Sequence, residues 1–201
     1  MAYNEFTLQQ LIKQFGITID TTVDLYSHLS EVPLSPTFLE RLDDESSLAL
    51  EISTEKARSE FIIAPILSET RRMSGHRFGL LSGVEFTVDA SAGLTGFCDY
   101  ILTHSRQQLF VESPVLMLVE AKNEDMKRGY GQCIAEMVAA QRFNEQEGKP
   151  LAKIYGAVTI GNIWKFIELE NKTARIDSED YSLENVGKVI GILLCLLAPS
   201  G

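Results

Sequence analysis

The pattern of apolar and polar positions changes along the chain, from helical spacing before Gly75 to strand-like alternation after it. Residues 7–15 place their apolar side chains on one face of a short helix. Thr7 is suited to cap the start of this helix, and Gly16 is suited to end it. The chain therefore opens with a predicted amphipathic helix.

Two further helices are predicted before Gly75. Ser35 can cap a helix from Pro36 to about Ser46, because proline is favoured in the first helical turn. Residues 48–53 favour a short strand. Residues 55–69 then return to helical spacing, although Pro65 should kink or restart that helix because it lacks a backbone N–H.

The second half of the chain predicts a sheet interleaved with helices. Strands are expected at 80–88, 93–103, 115–122, 153–159 and 163–170, with helices at 125–147 (Asn123 as a cap) and from Ser182 to about Ala198. This order indicates an α/β fold with a mixed sheet. We expect a single domain: a helical N-terminal extension (1–54), a core (55–170) and a C-terminal helix (171–201).

Charge is distributed unevenly. The net charge is −10, but residues 1–60 hold 11 acidic and 4 basic residues, whereas residues 61–201 hold 17 and 14. An acidic chain counts against nucleic-acid binding, which usually needs a basic surface. Because most of the excess lies in the N-terminal part, the core remains open to that function.

The apolar segment 189–198 is about half the length of a membrane span, so a buried C-terminal helix is predicted, with a dimer contact as the alternative. The N-terminus lacks the features of a signal peptide. Cys98, Cys133 and Cys195 show neither disulfide nor zinc spacing and are expected to be reduced core thiols. These features predict a cytoplasmic protein that is not embedded in a membrane.

The third predicted strand carries the most informative chemistry. Its apolar run, typical of a central strand, ends in Glu120-Ala121-Lys122. Side chains alternate along a strand, so Glu120 and Lys122 share a face, on which Leu116 and Leu118 precede them. Charged groups therefore emerge where a buried layer ends.

Asp99 is embedded in the preceding strand, between Phe97 and Ile101 on its own face. A buried carboxylate is costly unless it is paired or coordinated. Two carboxylates on neighbouring strands suit Mg²⁺, or Mn²⁺ in its place, and Lys122 could orient water or stabilise charge on a phosphate. The simpler alternative is a cross-strand ion pair and a backbone-bonded aspartate.

The motifs GFCDYIL (96–102) and LVEAK (118–122), followed by a helix with Gln132, resemble the PD-(D/E)XK nuclease superfamily, which has the restriction-endonuclease-like fold. The predicted αβββαβ order over about residues 56–170 is similar too. Cys98 stands where the family's name-giving proline would be. The stretch around Gln132 is similar to the nuclease domains of type I restriction enzymes and related small bacterial proteins.

This resemblance implies roles for individual residues. Asp99, Glu120 and the Ala121 carbonyl would bind one or two Mg²⁺ ions, and Lys122 would position the attacking water. Gln132 would be the family's helix glutamine. Glu60, on the predicted helix before the strands, would be the acidic residue of its first core helix.

Two functions follow as hypotheses. The first is Mg²⁺-dependent phosphodiester hydrolysis, with DNA as substrate, by an endonuclease of restriction or repair type. The second is a catalytically idle protein of nuclease fold that works through a partner, as a homodimer or as a subunit of a larger complex. The acidic N-terminal segment and the apolar C-terminal helix motivate the second.

Overall fold

The computed structural model describes residues 2–198 and has an α/β architecture in which helices flank an eight-stranded mixed sheet. Its helices are α1 (Leu8–Phe15), α2 (Pro36–Ile52), α3 (Glu55–Arg58), α4 (Ala64–Met73), α5 (Met126–Gln146) and α6 (Val186–Leu196). Its strands are β1 (Thr18–Asp20), β2 (Gly79–Glu85), β3 (Phe97–Thr103), β4 (Val115–Ala121), β5 (Lys153–Thr159), β6 (Ile163–Glu170), β7 (Thr173–Ile176) and β8 (Tyr181–Ser182).

The strand order is β1-β7-β6-β5-β4-β3-β2, and β8 pairs with β6. Strands β2, β3 and β4 form an antiparallel meander. Helix α5 then crosses over so that β5 lies parallel to β4. The predicted mixed sheet is therefore confirmed, with β4 in its interior, as the uninterrupted apolar run of that strand predicts.

The sheet has an apolar core on each face. One core packs against α1 and α5, and the other against α2, α4 and α6. Leu118 lies in the α5-side core, but Leu116 lies in the other, so the prediction that both share a face is wrong. The reason is a register shift between Leu102 and Thr103 of β3, opposite which Leu116 is the extra residue.

Several predicted helix ends are confirmed. Thr7 and Ser35 accept the capping hydrogen bonds of α1 and α2, and Gly16 ends α1 in the left-handed conformation. The strand predicted at 48–53 is wrong, because α2 continues through Ile52. Asp125, rather than Asn123, caps α5 by accepting a hydrogen bond from the Arg128 amide.

The helical segment that leads to the sheet is interrupted close to Pro65, as predicted. A π-helical turn, Ser59–Ile63, lies between α3 and α4, directly before this proline. The turn is tied to the sheet, because the Tyr100 hydroxyl donates to the Ser59 carbonyl at 2.9 Å. This contact fixes the helix beside the segment of β3 that carries Asp99.

The apolar C-terminal segment is buried within α6, as predicted, although Cys195 on this helix is exposed rather than part of the core. Cys98 and Cys133 are buried free thiols. Within residues 2–198, no helix has both the length and the apolarity to cross a membrane.

Candidate functional site

Asp99 reaches β4 through its side chain. The paired positions of β3 and β4 run from Thr103 to Tyr100, which lies opposite Val119. One residue further, the Asp99 carboxylate accepts a hydrogen bond from the Ala121 amide, with a distance of 2.8 Å from Oδ2 to N. The predicted convergence of Asp99 with the end of β4 is thus present in the structure.

The alternation of β3 is interrupted at this point. Cys98 and Ile101 are three residues apart, yet both belong to the core on the α5 side. In a regular strand they would face opposite sides. Phe97 is exposed and Asp99 is partly buried, so Asp99 lies at the boundary between the sheet interior and solvent.

Glu120 is almost completely buried, with 1% of its side chain exposed. Its Oε1 forms an ion pair with the Lys122 ammonium group. Its Oε2 is buried and has no hydrogen-bond partner among the described residues. A buried carboxylate with one unsatisfied oxygen is energetically costly, and at 1% exposure Glu120 has almost no access to water that could act as the missing donor.

Burial and charge together determine the pKa values of Glu120 and Lys122. Burial raises the pKa of Glu120 to about 8, and the neighbouring Asp99 charge adds to the increase, while Lys122 offsets only part of it. For Lys122, burial alone would lower the pKa, but the Glu120 carboxylate and its hydrogen bond outweigh burial and raise it. Lys122 is therefore a cation at neutral pH and acts as a donor.

Gln132 extends the cluster to α5 and to an acid that the sequence analysis missed. Its side-chain amide donates to Glu136 Oε1 at 3.1 Å. Glu136 is fully buried, and its Oε2 has no partner among the described residues. Burial, followed by the charge of Glu120, raises the pKa of Glu136 well above its usual range and so favours the protonated form of this side chain.

A signal for Glu136 is present in the sequence. It lies four residues after Gln132, on a stretch of α5 in which Cys133, Met137 and Ala140 are all buried. An acid on the apolar face of a helix is unusual unless it has a partner. Helical spacing therefore brings Glu136 beside Gln132.

Arg58 is a second residue that the sequence analysis missed. It is 9% exposed, and its guanidinium donates to the Asn123 side chain at 3.2 Å and to the Ile160 carbonyl at 2.7 Å. Asn123 directly follows Lys122. Arg58 therefore joins α3 to the loops that follow β4 and β5.

Glu60 is placed differently from the other predicted site residues. Its carboxylate pairs with Lys56 at 2.8 Å, and half of its side chain is exposed. This is an ordinary i,i+4 ion pair on a helix surface, which contributes little to stability. The structure brings Asp99, Glu120, Lys122 and Gln132 into one region, whereas Glu60 pairs with Lys56 on the helix surface.

The described part of the chain contains no group of three or more His, Cys, Asp or Glu side chains that could hold a metal ion. Asp99 and Glu120 thus supply at most two carboxylate ligands. This number suits Mg²⁺, which is often bound through one or two carboxylates and keeps several waters. The unpartnered Glu120 Oε2 is the feature that fits a cation.

Comparisons with known proteins assign neither a family nor a function to this chain. The chain matches no family model, no curated protein and no solved structure.

Proposed function

We propose that the protein is a metal-dependent phosphodiesterase of the restriction-endonuclease-like class, acting on DNA. The order of elements supports this proposal: α4, β2, β3, β4, α5 and β5 follow one another as αβββαβ. The active-site motifs that suggested the family lie on adjacent strands within this succession. The chain would then be a relative of the PD-(D/E)XK nucleases.

The observation that carries the proposal is the state of Glu120. Glu120 is almost fully buried, its Oε2 has no partner among the described residues, and Asp99 lies near enough to raise the pKa of Glu120. Lys122 is one cation facing two acids. A divalent cation that displaces the Glu120 proton would compensate the charge of the second carboxylate.

The residues then take distinct roles. Asp99 and Glu120 would hold the metal, with the Ala121 carbonyl as a further oxygen ligand. A bound Mg²⁺ supplies polarisation of the phosphodiester and lowers the pKa of an attacking water. Lys122 donates hydrogen bonds to that water or to the phosphate, and its raised pKa argues against a role as general base.

Cleavage of DNA tests this proposal. Purified protein is incubated with single-stranded, duplex and supercoiled DNA in Mg²⁺ or Mn²⁺. We expect Asp99→Ala to reduce the cleavage rate ~100-fold or more, because removal of even a supporting group at a metal site costs 10- to 100-fold. Asp20→Ala is the matched control, since Asp20 lies on β1 at the far edge of the same sheet.

Each outcome has a definite meaning. Activity that survives Asp99→Ala but is lost in EDTA would place the metal site elsewhere. No cleavage of any DNA by protein that binds metal at Asp99 and Glu120 would favour the idle, partner-dependent alternative. Loss of activity in Asp99→Ala alone, with Asp20→Ala unchanged, supports the proposed nuclease.

A further inference from the structure

A groove lies on the opposite side of the sheet from α5, between α2 and the segment that leads into α6. It encloses about 540 Å³. Leu39, Asp43, Ser46 and Leu50 form one wall and recur at helical spacing along a single face of α2. From Leu39 to Leu50 this wall rises roughly 16 Å, or three helical turns.

The groove combines apolar anchors with acceptor groups. Leu39 and Leu50 are each 42% exposed, although α2 packs Phe38, Leu42 and Ala49 into the core. Of the described residues that line the groove, only Asp43 and Glu184 are charged, and both are acidic. The lining therefore offers apolar surface and negative charge along the same path.

Asn162 adds a polar side chain to the lining of the groove. It lines the groove, and its side-chain oxygen Oδ1 is buried without a hydrogen-bond partner among the described residues. A buried acceptor of this kind is costly to leave unsatisfied. Because an amide oxygen accepts hydrogen bonds, only a donor could satisfy it.

We propose that this groove docks a basic amphipathic helix of a partner protein, with apolar side chains between Leu39 and Leu50 and Lys or Arg side chains toward Asp43 and Glu184. Helices commonly dock into grooves through apolar residues at i, i+4 and i+7. Helix α2 itself carries five acidic residues and one basic residue. Charge complementarity therefore selects a cationic partner.

The same charges exclude other occupants. A second copy of this chain, with a net charge of −10, would bring acidic surface against an acidic groove. Nucleic acids and anionic lipid surfaces would be repelled for the same reason. The groove is separate from Asp99 and Glu120, so the proposal stands whether or not the protein cleaves DNA.

The test uses an 18-residue synthetic helical peptide. It carries Leu at i, i+4, i+7 and i+11, and all of its charged residues are Lys. A second peptide carries Glu in place of Lys. Binding to the full chain is measured by fluorescence anisotropy. We expect saturable 1:1 binding of the basic peptide, weakened as salt rises, and no binding of the acidic peptide.

Helix α2 supplies a matched control. The double variant Leu39→Ser, Leu50→Ser should weaken binding of the basic peptide at least ~tenfold, a change of the size expected for apolar anchors. The double variant Leu48→Ser, Ile52→Ser alters two residues of the same helix, each 46% exposed, that do not line the groove. It should leave the affinity within about twofold.

The contrary results are equally definite. Equal affinities of the two double variants for the basic peptide, whether weakened or unchanged, would mean that the peptide does not bind through Leu39 and Leu50 and would overturn the proposal. Absence of saturable binding would do the same. A dimer of the free protein, measured by light scattering and lost in Leu39→Ser, Leu50→Ser, would assign the groove to a second copy instead.

Discussion

At the scale of single residues, Glu120 makes the stability of the protein depend on pH. Its pKa in the folded chain, about 8, lies well above the ordinary value of 4.5, so the folded state keeps the proton to higher pH than the unfolded state does. Between these two values the folded chain binds more protons. The free energy of unfolding must therefore fall as pH rises through this window.

We predict that Glu120→Gln stabilises the metal-free protein at high pH. In EDTA, the variant and the wild type should be similarly stable near pH 5, and the difference should grow to roughly 2–5 kcal/mol by pH 9, since one pKa unit corresponds to about 1.4 kcal/mol. Urea unfolding at several pH values measures this difference. A difference that does not depend on pH would contradict the assigned pKa.

Glu136 gives a second prediction at this scale. Because burial favours the protonated, uncharged form of Glu136, glutamine should replace it without loss and keep the acceptor for Gln132. We expect Glu136→Gln to remain within about 1 kcal/mol of the wild type at pH 7, and Glu136→Ala to lose about 2–3 kcal/mol through a cavity and an unpaired amide. Urea unfolding distinguishes them, and equal losses would show that the fold needs the charge.

At the scale of elements, Asn144 joins α5 to the start of β4. Its buried side chain accepts from the Val115 amide and donates to the Val115 carbonyl, both at 2.7 Å. We predict that Asn144→Ala destabilises the protein by about 2–3 kcal/mol, because two buried backbone groups lose their partners. Gln141→Ala, on the same helix, is the control for helix propensity. An equal loss of stability in thermal unfolding would contradict the role given to the two Asn144 hydrogen bonds.

The long, strongly patterned elements could be predicted from the sequence. Strands β5 and β6 have the predicted bounds, and α5 differs by one residue at each end. Strands β1, β7 and β8, which are four residues or shorter, were missed. Such short segments hold too few positions to show alternation, and their pairing depends on distant partners.

Local pattern also failed where tertiary contacts decide the outcome. Residues 48–53 alternate like a strand, but α2 continues through them because Ala49 packs into the core. The face assigned to Leu116 required a regular β3–β4 register, and a shift in register is not visible in either strand alone. Asp125 and Asn123 are both good caps, and only the path of the loop selects between them.

At the scale of the whole molecule, topology assembles the site. The sequence indicated Asp99, Glu120 and Lys122 separately, but only the pairing of β3 with β4 brings the Asp99 carboxylate to the Ala121 amide. Gln132 joins them because α5 crosses back over the sheet. Glu136 was missed because its significance depends on the Glu120 charge that the fold places nearby.

The acidic character of the molecule also has a spatial explanation. Helix α2 carries much of the N-terminal excess and lies on the side of the sheet opposite to α5, whereas Gln132 and Glu136 lie on α5. The net charge therefore argues less strongly against a nucleic-acid substrate than its total suggests. The acidic residues of α2 also concentrate negative charge at the groove beside this helix.

Binding of Mn²⁺ by the metal-free protein tests the central claim most directly, with Mn²⁺ as a spectroscopic substitute for Mg²⁺. Electron paramagnetic resonance titration should give saturable binding that is lost in Asp99→Ala and in Glu120→Gln and retained in Asp20→Ala. The wild-type affinity should rise about tenfold from pH 7 to pH 9 as Glu120 loses its proton. Equal Mn²⁺ binding by all three variants, or none by the wild type, would contradict a metal site at Asp99 and Glu120.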